Sequence, residues 1–178
     1  MEIQAGLCIV RSWQWSDRDS LVRQANNRKI WINVRDRFPY PYTNDDADRW
    51  LAFARSARPE TNFAVTMEGK AVGGIGFALQ EDVNRVSAEI GYWLGEEFWG
   101  KGITTAALRA VTRYAFENFD LCRLYASVFE WNRASCRVLE KAGYSREGIL
   151  KRSAIKDGRT IDQFLYAIIR GEFAGGAL

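Results

Sequence analysis

The residues best suited to chemistry are Trp99-Gly100-Lys101-Gly102, which follow an alternating apolar stretch (Val86 to Leu94) and precede a helical pattern opening near Ile103. Strand, glycine-bearing turn and helix in that order build an anion site. The glycines let the backbone curl, and the unpaired N–H groups of the first helical turn point into the curl with the positive end of the helix dipole behind them. The spacing leaves open whose phosphate would sit there. A triphosphate P-loop fits Gly95 to Lys101 but needs Ser or Thr where Gly102 stands. A dinucleotide fingerprint finds glycines at 100 and 102 but meets Thr105 where its third should be. The pyrophosphate of coenzyme A asks only for glycines and a helix start, with no metal, and nothing in the loop opposes it. A strand-to-helix connection with no ligand would have the same composition.

Side chains near this loop add reactive groups. Alternation puts Val86, Ala88, Ile90, Tyr92 and Leu94 on one strand face and Ser87, Glu89, Gly91 and Trp93 on the other. Gly91, inside the strand, marks a bulge or a close backbone approach. Glu89 beside it can act as a general base toward an amine if burial raises its pKa. The plainer reading is a half-exposed strand glutamate paired with a cross-strand arginine. Asn132 and Ser135 open a short helix, where Asn is a preferred N-cap and Gly143 suits a left-handed C-cap.

Three segments together resemble the GNAT superfamily of N-acetyltransferases: Ala88-Glu-Ile-Gly-Tyr-Trp-Leu94, Phe98-Trp-Gly-Lys-Gly102 and Asn132-x-x-Ser135-x-x-Val-Leu-Glu-Lys-x-Gly143-Tyr144. The nearest resemblance is to the RimJ/RimL-type branch, named for enzymes that acetylate the N-termini of ribosomal proteins. Phe38-Pro-Tyr-Pro-Tyr42 is similar to that branch as well, and the likeness runs over nearly the whole chain. The resemblance implies acetyl-CoA as cosubstrate, no metal, and a primary amine as acceptor, most of all a protein N-terminal α-amine. Small-molecule acceptors (a polyamine, an aminoglycoside, an amino acid) and a CoA-binding protein without turnover are the alternatives.

The resemblance also implies roles. The strand bulges at Gly91, backbone groups of Trp93 and Leu94 pair with the pantetheine arm, and amides of Trp99, Gly100, Lys101, Gly102, Ile103, Thr104 and Thr105 hold the pyrophosphate. Glu89 is the general base. Asn132 bonds pantetheine, and Ser135 gives a proton to the departing sulfur in place of a tyrosine that many relatives carry where Leu139 stands. Trp31, Arg35, Phe38, Tyr40 and Tyr42, stiffened by Pro39 and Pro41, wall the amine pocket; otherwise they are core or the contact of a homodimer. One departure is visible. Relatives continue past the loop as Tyr-Ala-Thr-Glu-Ala, whereas this chain has Ile103-Thr-Thr-Ala-Ala107, so any role of that glutamate is lost.

Composition narrows the classes. The 178 residues, 47% hydrophobic, fit one domain (1–178) with a sizeable core. No apolar run approaches the roughly 20 residues of a membrane span, and the N-terminus lacks a signal pattern, so a cytoplasmic location is expected. The absence of histidine argues against a zinc site and a His-based triad, and a net charge of +3 argues against nucleic acid. Cys8, Cys122 and Cys136 lack metal or redox spacing and read as small hydrophobes.

The elements that must position these groups follow from periodicity. Strands are expected at Leu7–Trp13, Phe63–Met67, Ala71–Leu79, Val86–Leu94 and Arg123–Phe129, with two more flanking Lys156-Asp157-Gly158-Arg159. Helices are expected from Asp17 or Asp19 to Asn26, over Ile30–Arg35, after an Asn44 cap, from Ile103, and from Asn132 to Gly143. The fold class is therefore α/β (α+β): a GNAT-type mixed, mostly antiparallel six- to seven-stranded sheet with flanking helices.

Overall fold

The β-branched and aromatic runs form one sheet in the computed structural model, which describes residues 1–173. In chain order the elements are β1 (Glu2–Ala5), β2 (Cys8–Ser12), α1 (Arg18–Ala25), α2 (Arg28–Trp31), α3 (Asn44–Ser56), β3 (Asn62–Met67), β4 (Lys70–Leu79), β5 (Ser87–Leu94), α4 (Ile103–Asn118), β6 (Arg123–Phe129), α5 (Arg133–Ala142), β7 (Ser145–Lys156) and β8 (Arg159–Ile169). Eight strands lie in the order β1-β2-β3-β4-β5-β6-β8-β7. The strand beyond the expected seven is β1. Its four residues are too few to show alternation, and it exists by pairing with β2. Every neighbouring pair is antiparallel except β5 with β6.

Two cores cover the two faces of the sheet. On one, Ile103, Ala107, Leu108 and Val111 of α4 and Leu139 of α5 pack with Ala88, Ile90 and Leu124 of the strands. On the other, Leu21 of α1, Leu51 of α3 and Tyr42 pack with Trp13 and Ala64. Each such large apolar side chain taken out of water contributes about 1.5–3 kcal/mol. Thr43, not Asn44, caps α3: its hydroxyl accepts from the Asp46 amide and the Asp46 carboxylate accepts from the Thr43 amide, a reciprocal box. Asp17 does not cap α1 with its side chain but is buried in a two-armed pair with Arg11 at 2.7 and 2.8 Å. No helix among the described residues is long and apolar enough to cross a membrane.

The feature that makes a site is where the sheet opens. β5 and β6 pair only from Ser87–Arg123 to Glu89–Tyr125. Beyond Glu89 each strand follows its other neighbour. β5 stays on β4 to Leu94, and β6 stays on β8 from Arg123 to Phe129. The expected bulge at Gly91 is absent, because the β4–β5 register runs unbroken through the Gly76–Gly91 pair. The break in β4 lies on its other side, opposite Val65 and Thr66 of β3. Gly91 serves differently: a Cβ there would meet nothing within 4 Å, so the residue strips a side chain from an open floor.

Candidate active site

The loop between β5 and α4 has the backbone an anion cradle needs. Gly100 and Gly102 hold φ of +75° and +76°, the left-handed region, with open space where each Cβ would be. The first bond of α4 runs from the Ala106 amide to the Gly102 carbonyl, at 3.1 Å. The amides of Ile103, Thr104 and Thr105 therefore stand at the open end of a 16-residue helix, beside the positive end of its dipole. Two loop acids are tied down away from this curl. Glu96 accepts from Asn27 at 2.8 Å and pairs with Lys29, and Glu97 accepts from Gln24 at 2.6 Å. The Lys29 and Asn27 hydrogen bonds hold the Glu96 carboxyl below the ordinary carboxylate range. A pyrophosphate held by backbone amides fits this arrangement without a metal.

Next to the cradle, the cleft edge of β5 exposes backbone. Bonds from Gly95 to the Val72 carbonyl (2.7 Å) and from Gln80 to the Ser87 carbonyl (3.1 Å) set the phase of the β4–β5 ladder. Glu89, Gly91 and Trp93 thus direct their backbone groups to β4, whereas Ile90, Tyr92 and Leu94 direct theirs toward the cleft. Trp93 is therefore out of phase for the expected pairing with pantetheine, and Tyr92 is in phase. The Leu94 carbonyl is already taken, accepting from the Trp99 indole at 2.7 Å. The Trp99 amide, expected to bind pyrophosphate, instead donates to the Glu96 carbonyl at 3.1 Å.

Glu89 and Ser135 approach the cleft from opposite faces of β5. Glu89 looks onto a cavity of about 800 Å³ and is ion-paired with Arg35, which arrives from the segment after α2 rather than from a neighbouring strand. Ser135 begins α5 on the other face. Its Oγ lies 2.9 Å from the hydroxyl of Tyr92, a side chain of the α4–α5 face. Burial pushes the Tyr92 phenol above its usual range, with the Ser135 hydrogen bond opposing. Asn132 is the N-cap: its Oδ1 accepts from the Ser135 amide at 3.2 Å. Leu139 is fully buried in the core.

The aromatic segment divides. Phe38 lies against Trp93 (ring centroids 5.5 Å apart) and Tyr42 (5.1 Å), and all three line the cavity. Tyr42 is also 95% buried, so it belongs to the core as much as to the wall. Trp31 and Tyr40 stand outside the cavity lining. They pack on each other at 6.1 Å, under the buried Lys156 ammonium, 3.8 Å from the Trp31 ring and 2.7 Å from Asp36. Lys156, at the tip of the β7–β8 hairpin, thus pins the segment that presents Arg35. Sequence reasoning missed Tyr92 as a site residue, and it placed Arg35 only in the stretch walling the amine pocket, not on Glu89. The alternation along β5 already carried the signal for Tyr92, which shares its face with the residues facing α4; nothing local pointed Arg35 to Glu89.

A cofactor-type cradle, a splayed strand pair and flanking acid and hydroxyl define an acyl-transfer class of site. The chain belongs to the GNAT acetyltransferase family: residues 8–145 match the model for the acetyltransferase (GNAT) domain. It is 33% identical to the N-acetyltransferase YnaD of Bacillus subtilis (strain 168), over 97% of this chain and 99% of that protein. It is 34% identical to the ribosomal-protein-serine acetyltransferase of Escherichia coli (strain K12), over 60% of this chain and 59% of that one. Against several other curated relatives the chain spans only 46–59% of their length. Among solved structures, Mycobacterium smegmatis RimJ in complex with CoA-disulfide superposes with a TM-score of 0.84 at 27% identity, over 96% of this chain and 85% of RimJ.

Proposed function

We propose that the protein transfers the acetyl group of acetyl-CoA to a primary amine, the α-amine of a protein N-terminus. The observation that carries this reading is the opening of β5 from β6 just past Glu89, directly before the glycine curl and the start of α4. Supporting it are the family, the name of the E. coli relative, and the CoA-disulfide in the RimJ complex. The amides from Gly100 to Thr105 would hold the pyrophosphate, and the cleft-side groups of Tyr92, with the Asn132 side-chain amide, would hold the pantetheine. Bound acetyl-CoA supplies the thioester carbonyl and the thiol leaving group.

The rest of the reaction belongs to the chain's own residues. The acceptor nitrogen enters from the Glu89 face and attacks the carbonyl carbon. A C–N bond forms and the C–S bond breaks. The proton lost by the nitrogen passes to the Glu89 carboxylate, directly or through one water. The sulfur leaves on the opposite face, where the Ser135 hydroxyl, held by Tyr92, donates a hydrogen bond to the departing thiolate and relays to it a proton that solvent water replaces.

Release of free thiol from acetyl-CoA tests this against a panel of amines: peptides with Ser, Ala or Met N-termini, spermidine, an aminoglycoside and free amino acids. Turnover on the peptides supports the N-terminal reading. Turnover confined to spermidine or the aminoglycoside would replace it, and silence with CoA still binding would leave a CoA-binding protein.

A further inference from the structure

We infer that the acceptor cavity selects amines that carry a carboxylate close to the reacting nitrogen. This deepens the acetyl-transfer reading above and rests on it. Among the described residues, five charged side chains line the cavity: Arg35, Arg37, Arg49, Asp46 and Glu89. Asp46 and Arg49 satisfy each other at 2.5 Å, and Asp46 also closes the Thr43 cap, so that pair offers little to a ligand. The remaining three leave a net positive charge. Arg37 is exposed and has no ion pair or hydrogen bond among the described residues. Arg35 holds the only acid left, Glu89.

An arriving ammonium group must share or take Glu89 from Arg35. A polyamine would then set further cations against two freed guanidinium groups. A zwitterionic acceptor does the reverse: its ammonium replaces Arg35 at Glu89, and its carboxylate gives Arg35 and Arg37 the partner they lack. Guanidinium groups suit this because they bind carboxylates through two parallel hydrogen bonds. The floor beside these charges is bare at Gly91, where a Cβ would project into empty space; Gly76, opposite it on β4, is covered by Asn62 and the Thr61 carbonyl. An acceptor can therefore lie over Gly91 with both charges engaged. The carboxylate can be an acidic side chain next to the N-terminus or the α-carboxylate of a free amino acid.

The test compares kcat/KM for three C-terminally amidated peptides with Asp, Ala or Lys at the second position, and for a free amino acid against its amide. Calorimetry of the same ligands on the CoA-saturated protein provides a readout without turnover. The expected result is about a fivefold preference for Asp over Ala, the scale of one partly exposed ion pair, with Lys below both. A preference for the amino acid over its amide would instead identify the α-carboxylate as the group recognised. Arg37→Glu should flatten or invert the order while leaving the KM for acetyl-CoA unchanged. Equal kcat/KM and equal binding across both series, or an unchanged order in Arg37→Glu, overturns the inference even if acetyl transfer proceeds. Acid-selective binding without turnover would uphold it and remove the transferase reading instead.

Discussion

The Tyr92 hydroxyl stands 2.9 Å from the Oγ of Ser135 and 3.3 Å from the Ser135 carbonyl oxygen, joining the strand at the cleft to the first turn of α5. Ser135 is thereby aimed from below by a phenol that burial keeps protonated. Replacing Ser135 by Ala should lower kcat about tenfold, less than a full general-acid loss because water can also protonate a thiolate. Tyr92→Phe should lose less, and the double variant should lose no more than Ser135→Ala alone, since both act through one hydroxyl. Steady-state kinetics on the four proteins checks this; additive losses would separate the two residues.

Glu89 sits across the strand in the cavity proposed for the acceptor. Glu89→Gln keeps the shape and removes the proton acceptor, so kcat should fall about 10²-fold with the KM for acetyl-CoA little changed. Wild-type turnover in that variant would take Glu89 out of the mechanism.

The cradle makes a separable prediction. At Gly102, with φ of +76°, a β-branched side chain is strained whatever the space, at a cost of about 1–3 kcal/mol. Gly102→Val should therefore raise the KM for acetyl-CoA about tenfold or more by turning the curl amides away, while peptide KM stays near wild type. Circular dichroism guards against simple unfolding. An unchanged KM for acetyl-CoA would move the pyrophosphate elsewhere.

Stability should fall at high pH. Burial raises the phenols of Tyr42, Tyr92 and Tyr144 above the ordinary value of 10.0. The folded state thus binds these protons more tightly than the unfolded chain, so their contribution is complete below pH 10 and is lost as pH rises beyond it. Thermal unfolding between pH 8 and 11 should show Tm dropping past pH 10, with a shallower drop in Tyr92→Phe.

Much of this was legible in the chain. The Trp99–Gly102 loop, the start of α4 at Ile103 and the left-handed cap at Gly143, with φ of +98°, follow from local backbone demands that glycine alone meets cheaply. What escaped was non-local. β1 depends on pairing with β2. The Arg35–Glu89 pair joins residues 54 apart in sequence, and Lys156 reaches Asp36 across 120. Gly91 misled because a strand glycine reads as a bulge or a close backbone approach, whereas here it leaves bare space. The β4 register, which excludes the bulge, is set by the partner strand. Ladder phase likewise decided that Tyr92 rather than Trp93 faces the cleft, a matter of hydrogen-bond parity that side-chain alternation does not fix.

The most direct measurement incubates the protein with acetyl-CoA and a peptide bearing both a free N-terminal serine and an internal lysine, then locates the added mass by tandem spectrometry. One acetyl group on the α-amine, strongly reduced in Glu89→Gln, is the predicted result. Acetylation of the lysine alone, or a product formed equally well by Glu89→Gln, would contradict the account.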